Sequence, residues 1–246
     1  MLKVITLVTK FIVVAMMALL FGSCNQIGNV NAITGSGHVT VEKRNVSSDF
    51  KNVTVNNALD VVIEQSDKTE IIVEADDNLQ KEITTKVENG VLIISCKKGS
   101  FNNITSKKIT VKMPEIEGLE ASSASTINSN TTLKGNNLTL ASSSAASIQV
   151  TVEYETVQLT GSSASTQNVK GKALQIEVST SSASVINASD LLANEVIANS
   201  SSGSSITVNP RSKLKAEASS GGNIGYNNAP RVIQKVEHSG GSVHED

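Results

Sequence analysis

The chain has 246 residues, 39% of them apolar, with a formal net charge of −2, aromatics at only 2% and no Trp. That balance excludes the basic surface that nucleic acid requires, and it leaves few rings on which sugars or bases could stack. Two cysteines, Cys24 and Cys96, are too few for a disulfide framework.

Lys3 and Lys10 flank the start of an apolar run from Phe11 to Phe21, which is followed by Gly22, Ser23 and Cys24. The run is about half the roughly 20 residues a membrane span needs, so the pattern is that of a secretory signal peptide ending in a lipobox. Residues 1–23 are expected to be removed, Cys24 to carry the lipid, 24–34 to form a short polar tether and 35–246 to form the domain. Acyl chains on Cys24 would hold that domain at a membrane, and Asn25, where an inner-membrane lipoprotein often has aspartate, points to the outer membrane. Without Lys3 and Lys10, nineteen of the 21 basic residues face 23 acidic ones, a net of −4.

Strands follow in quick succession: Val53 to Val55, Leu59 to Ile63 and Glu70 to Val73. Asn89-Gly90 separates Ile83 to Val87 from Val91 to Ile94, a type I′ hairpin signature. Ile109 to Met113 is a further strand that stops at Pro114, and no helical period of useful length appears after the leader. Cys96 ends its strand run with no histidine near it, which reads as a half-buried structural thiol.

From Glu120 onward a repeat dominates. Aligned on Ser122, Ser143, Ser162, Ser181, Ser201, Ser219 and Ser239, its spacings are 21, 19, 19, 20, 18 and 20. Five residues after the first six anchors stand Ile127, Ile148, Gln167, Ile186, Ile206 and Ile224. Three before the anchors stand Leu119, Leu140, Leu159, Val178, Ala198, Ala216 and Val236, alternating with polar neighbours, so one face of each strand is buried. One unit cannot bury its own apolar face, but stacking equivalent strands about 4.8 Å apart does so. The expected fold is all-β: a right-handed parallel β-helix, or β-solenoid, with coils of about 20 residues and an irregular β N-terminal part. At its corners Ser, Ala and Gly fit tight bends, and hydroxyls satisfy backbone groups. A propeller blade needs about 40 residues, twice this repeat.

Gly35-Ser36-Gly37, the R-N-V-S-S-D-F stretch holding Arg44, Val46 and Phe50, Leu59 to Gln65 (LDVVIEQ), Asn89 to Ile94 and the Ser/Ala/Gly coils occur in that order. Together they resemble the head GIN domain family of bacterial auto-transporter adhesins over roughly Gly35 to Gly241, with one residue inserted in the Arg44 to Phe50 spacing. The resemblance implies a β-solenoid in the cell envelope with an adhesive role, and it carries over no catalytic residues.

Parallel β-helices also include polysaccharide-cleaving enzymes, whose chemistry needs paired carboxylates. Among the acids of the coils only Glu153 and Glu155 stand at i, i+2, a spacing that serves equally to solubilise a strand face. His38 is far in sequence from His238 and His244, which argues against a shared metal site. Asp76-Asp77-Asn78 lacks the glycine and spaced oxygens of a calcium loop and reads as a strand-ending turn. Gly161-Ser162-Ser163 is a corner, not a nucleophile elbow. No cofactor, metal or catalytic residue is therefore expected. The expected activity is non-enzymatic binding of a surface, a glycan or an envelope protein, with end-to-end self-association as the structural alternative and a glycan-active enzyme as the third.

Overall fold

The computed structural model describes residues 32–246, so the leader, Cys24 and most of the expected tether lie outside the described residues. The front contains β1 (Ile33–Thr34), β2 (Val39–Arg44), β3 (Asn52–Val55), β4 (Asp60–Gln65) and β5 (Glu70–Asp76). A four-residue helix α1 (Asp77–Gln80) follows, then β6 (Ile83–Glu88), β7 (Val91–Cys96), β8 (Phe101–Asn102), β9 (Lys107–Met113) and β10 (Gly118–Ala121). The coils proper are β11 (Thr126–Ser142), β12 (Ser147–Gly161), β13 (Thr166–Thr180), β14 (Val185–Ser200) and β15 (Ser205–Ala218), closed by β16 (Asn223–Tyr226), β17 (Val232–Glu237) and β18 (Ser242–Glu245).

Successive coils pair in parallel to form a β-solenoid of about seven turns with coils of about 19 residues. The pairing puts Val61, Ile127, Ile148, Gln167, Ile186, Ile206, Ile224 and Val243 in one column, every member 5% exposed or less. Each such side chain leaves water completely, a gain of about 2–3 kcal/mol for an isoleucine. Gln167 interrupts the column, its Nε2 donating to Thr160 O at 2.7 Å and Ser142 Oγ at 3.0 Å.

The corner after each of the first six anchors is a type I′ turn, two successive residues in the left-handed region, and equivalent turns stand at both ends of the stack. The pairs are Asn57-Ala58, Ser123-Ala124, Ser144-Ala145, Ser163-Ala164, Ser182-Ala183, Ser202-Gly203, Ser220-Gly221 and Ser239-Gly240. The turn that joins antiparallel strands at Asn89-Gly90 here joins two sides of one coil, and mostly without glycine. Left-handed Ser and Ala each cost about 1–2 kcal/mol. Two hydrogen bonds per turn oppose that cost: Ser125 N–H donates to Ser122 O (3.2 Å) within the turn, and Ala124 N–H to Ser144 O (3.0 Å) of the next turn. Part of the serine signal points inward. Ser142, Ser165, Thr180, Ser200 and Ser204 are buried and bond to one another, as in Ser142 Oγ to Ser165 Oγ at 2.8 Å and Thr180 Oγ1 to Ser204 Oγ at 2.8 Å.

One register expectation is corrected. Ala218 pairs with Glu237, so the last corner starts at His238, one residue before Ser239, and Val236 is 38% exposed instead of inward. Inward positions of the last coil are Ile233, Lys235 and Glu237, under Leu214, Ala216 and Ala218. Lys235 Nζ lies 4.7 Å from the Tyr226 ring centroid and donates to Val243 O, while Glu237 Oε1 accepts from Val243 N–H at 2.6 Å. Charged groups thus close the bottom of the core, a device that discourages strand-edge association.

The front, where the sequence shows strands without the repeat, is irregular because its coils are assembled out of chain order. β3 and β4 form the second coil; the chain then reverses through antiparallel β5 and the β6–β7 hairpin to build the outermost coil from β7 and β9, and passes over to β10. On the outside β2 pairs with β5, placing Glu42 opposite Val73 and Arg44 opposite Ile71, again charges at inward positions. Asp76 is fully buried and ties this region together, accepting from Gly37 N–H (2.8 Å), Thr105 N–H (2.8 Å) and Ser106 N–H (3.1 Å). Burial alone would push its carboxyl up, but the backbone N–H groups of Ser106, Gly37 and Thr105 outweigh it and hold the carboxyl below the usual range.

A candidate binding groove on the coil corner

Each long strand bends at one residue that has no partner in the register: Asn136, Glu155, Leu174 and Asn194. These residues form an exposed column on one side of the bend. On the other side runs the column Lys134, Glu153, Lys172 and Leu192, and between them the inward column Gly135, Tyr154, Ala173 and Ala193. The Tyr154 ring lies on Gly135, where an added Cβ would come within 2.6 Å of the ring, so only glycine lets the tyrosine lie flat there.

The result is a groove of about 440 Å³. Tyr154 and Ala173 form its floor, Leu174 (56% exposed) and Leu192 (38% exposed) its apolar flanks, and Glu155 and Arg211 its polar ends. Neither leucine was singled out by the reading of the repeat. The signal for them is the adjacent apolar pairs Ala173-Leu174 and Leu191-Leu192, since strict alternation buries only one member of each pair.

Glu153 borders this groove, and its carboxylate meets Lys134 Nζ at 3.1 Å and Lys172 Nζ at 3.4 Å. The hydrogen bond from Lys134, reinforced by the charge of Lys172, holds it below the usual carboxylate range. Glu155 sits at the bend instead of beside Glu153 on one strand face, so the i, i+2 spacing does not yield a shared pair. Tyr154 donates to Ile116 O at 2.8 Å, and burial, with the Glu117 charge adding, pushes its phenol up to about 12. The groove therefore offers a locked carboxylate and a locked phenol, neither of them placed as a proton donor at neutral pH.

The other sequence candidates lie apart. Cys96 is 4% exposed, more buried than expected, and burial pushes its thiol up, away from the reactive thiolate. Asp76 and Asp77 end β5 and open α1. His244 pairs with Asp246 at 3.1 Å, His238 starts the last corner, and His38 lies at the opposite end of the stack. Among the described residues no three His, Cys, Asp or Glu side chains come together as metal ligands. A second groove of about 360 Å³ runs beside the corners between Thr160 and Ser219 and is lined by hydroxyls, with Glu217 its one charged residue.

Residues 49–230 match the family described as "Putative auto-transporter adhesin, head GIN domain". Comparison with curated proteins gives no match. Among solved structures, a "putative adhesin" from Bacteroides fragilis superposes with a TM-score of 0.80 at 19% identity, covering 87% of this chain and 100% of that one. A "putative adhesin" from Parabacteroides merdae gives 0.73 at 21% identity (88% and 100% covered). A "putative lipid binding protein" from Parabacteroides distasonis gives 0.67 at 21% identity (87% and 99% covered).

Proposed function

This chain belongs to the head GIN domain family of adhesins, and from that premise we propose that it is a non-enzymatic binding module of the cell envelope that takes a protein partner in the corner groove. The observation that carries the reading is the exposed pair Leu174 and Leu192 on either side of a floor of Tyr154 and Ala173. A glycan site draws on ring faces, and here Phe50, Tyr154 and Tyr226 are each 5% exposed or less, while the partly exposed Phe101 lies in β8 at the front, away from the groove, under Lys107. The leucines instead suit an apolar side chain of an extended partner segment, with Glu155 and Arg211 available to polar groups beyond it. Attachment is through lipid on Cys24 after removal of residues 1–23, with a tether that runs from Cys24 to the point where Ile33 pairs into the domain, and with the outer membrane as the address.

End-to-end self-association has less support, because Glu42 and Arg44 at the front and Lys235 and Glu237 at the back occupy inward edge positions. An enzymatic role has less support still, with Glu153 fixed between two lysines.

The test is capture from envelope extract by the immobilised chain, with a glycan array in parallel. Saturable capture that Leu174→Glu plus Leu192→Glu removes, at an unchanged melting temperature, is the expected result. Capture that the double variant retains, or turnover of an arrayed glycan, would refute the proposal.

A further inference from the structure

The point where the chain enters the domain is marked by charge. Ile33 N–H donates to Ser100 O at 2.9 Å, and β1 pairs with β8 immediately after the exposed pair Lys97-Lys98. Lys97 N–H in turn donates to Glu82 O at 3.1 Å, which brings exposed Lys81 beside the same loop, and Arg44 Nη2 donates to Gln80 O at 2.8 Å on the other flank. Glu42 is taken up by Arg44 at 2.9 Å, and the acids interleaved with the lysines are Glu82 and exposed Asp77, the first residue of α1. Among the described residues Lys81, Lys97 and Lys98 make no ion pair, whereas Lys43, Lys51, Lys107 and Lys112 of the same front region do; the other unpaired lysines of the front stand elsewhere, Lys68 in the turn between β4 and β5 and Lys86 and Lys108 within β6 and β9.

From these positions we infer that Lys81, Lys97 and Lys98 form a docking surface for the anionic headgroups of the membrane to which the chain is tethered, setting the solenoid with its front end down. The inference rests on the lipid-anchor reading. Eight residues lie between Cys24 and Ile33, and the nine steps from one to the other reach at most about 30 Å, so the front coil stays near the surface. The screening length is about 8 Å at physiological salt, which the tether lets the lysines cross. Charge is the complement required: lipid phosphates are negative, and this domain is negative overall, so the unpaired lysines at the tether entry are the place where it can approach them. With the front end down, the corner groove in the middle coils is carried clear of the membrane.

Vesicle flotation of the whole chain tests this, comparing phosphatidylglycerol-containing with pure phosphatidylcholine vesicles for the parent and for Lys81→Gln, Lys97→Gln, Lys98→Gln combined. The leader contributes equally to both chains and drops out of the comparison. One lysine near an anionic surface strengthens association about fivefold, so the triple variant should lose tenfold or more of the preference for the anionic vesicles, with the parent's preference falling at high salt. An equal preference in parent and triple variant, with the variant folded by its unchanged melting temperature, overturns the inference. Acylation of Cys24, followed separately by incorporation of labelled palmitate, is independent of both outcomes: its failure would remove the anchor and leave the flotation result to judge the patch.

Discussion

Replacing Ile186 by Asp puts a carboxylate in the middle of the isoleucine column, between Gln167 and Ile206, at a position with 0% exposure. Loss of the side chain costs about 2–5 kcal/mol from packing alone, and an unpaired buried charge adds several kcal/mol more. The sum is comparable with the roughly 5–15 kcal/mol that stabilises a whole domain. Because each coil touches only its neighbours, the loss falls on β13 to β15 first, leaving the stack from β3 to β12 to melt later. Circular dichroism should therefore show an early partial transition, and limited proteolysis should cut around residues 170–215 while the front half survives. Ile186→Val is the control, at about 1 kcal/mol and a shift of about 2–4 °C for a domain this size. If Ile186→Asp melts in one step at the parent's temperature, the column is misassigned and the register of the coils is wrong.

Asp76→Asn should cost about 2–3 kcal/mol at neutral pH, because Asn cannot accept charge-assisted bonds from Gly37, Thr105 and Ser106 together. The folded carboxyl is held below its ordinary value, so its contribution is present above the unfolded pKa of about 3.9 and lost as pH falls through the folded value. Urea melts should show the gap between parent and variant closing on acidification below about pH 4; a gap constant from neutral to acid pH would contradict the assignment. At the other end, Lys235→Ala with Glu237→Ala would extend the small apolar columns of Ala216 and Ala218 to an open edge. Tail-to-tail dimers are expected, since the front keeps Glu42 and Arg44, and sedimentation should show mass rising with concentration for the variant alone. A variant no more associated than the parent would mean that the two charges do not guard that edge.

Much of the fold is legible in the residues themselves. Alternation with period two, repeated every 18 to 21 residues around a serine, marks which side chains face inward, and stacking is the one arrangement that buries them all. The isoleucine column survives intact in the structure, Gln167 included, because it follows from local alternation and a fixed interval. The strands of the front and its Asn89-Gly90 hairpin were legible, but their order was not: β7 and β9 form the coil that stacks on β3 and β4 from 40 to 50 residues further along the chain, a pairing that leaves no period to detect. The last coil misled by one residue because Lys235 and Glu237 stand where small apolar residues stand in the coil above. The groove likewise belongs to the tertiary structure alone. Glu155, Leu174 and Asn194 become neighbours only because the unpaired bend of each coil falls at the same height on the stack. Alternation within a strand decides what is inside; what lies side by side on the outside is decided across coils, by register.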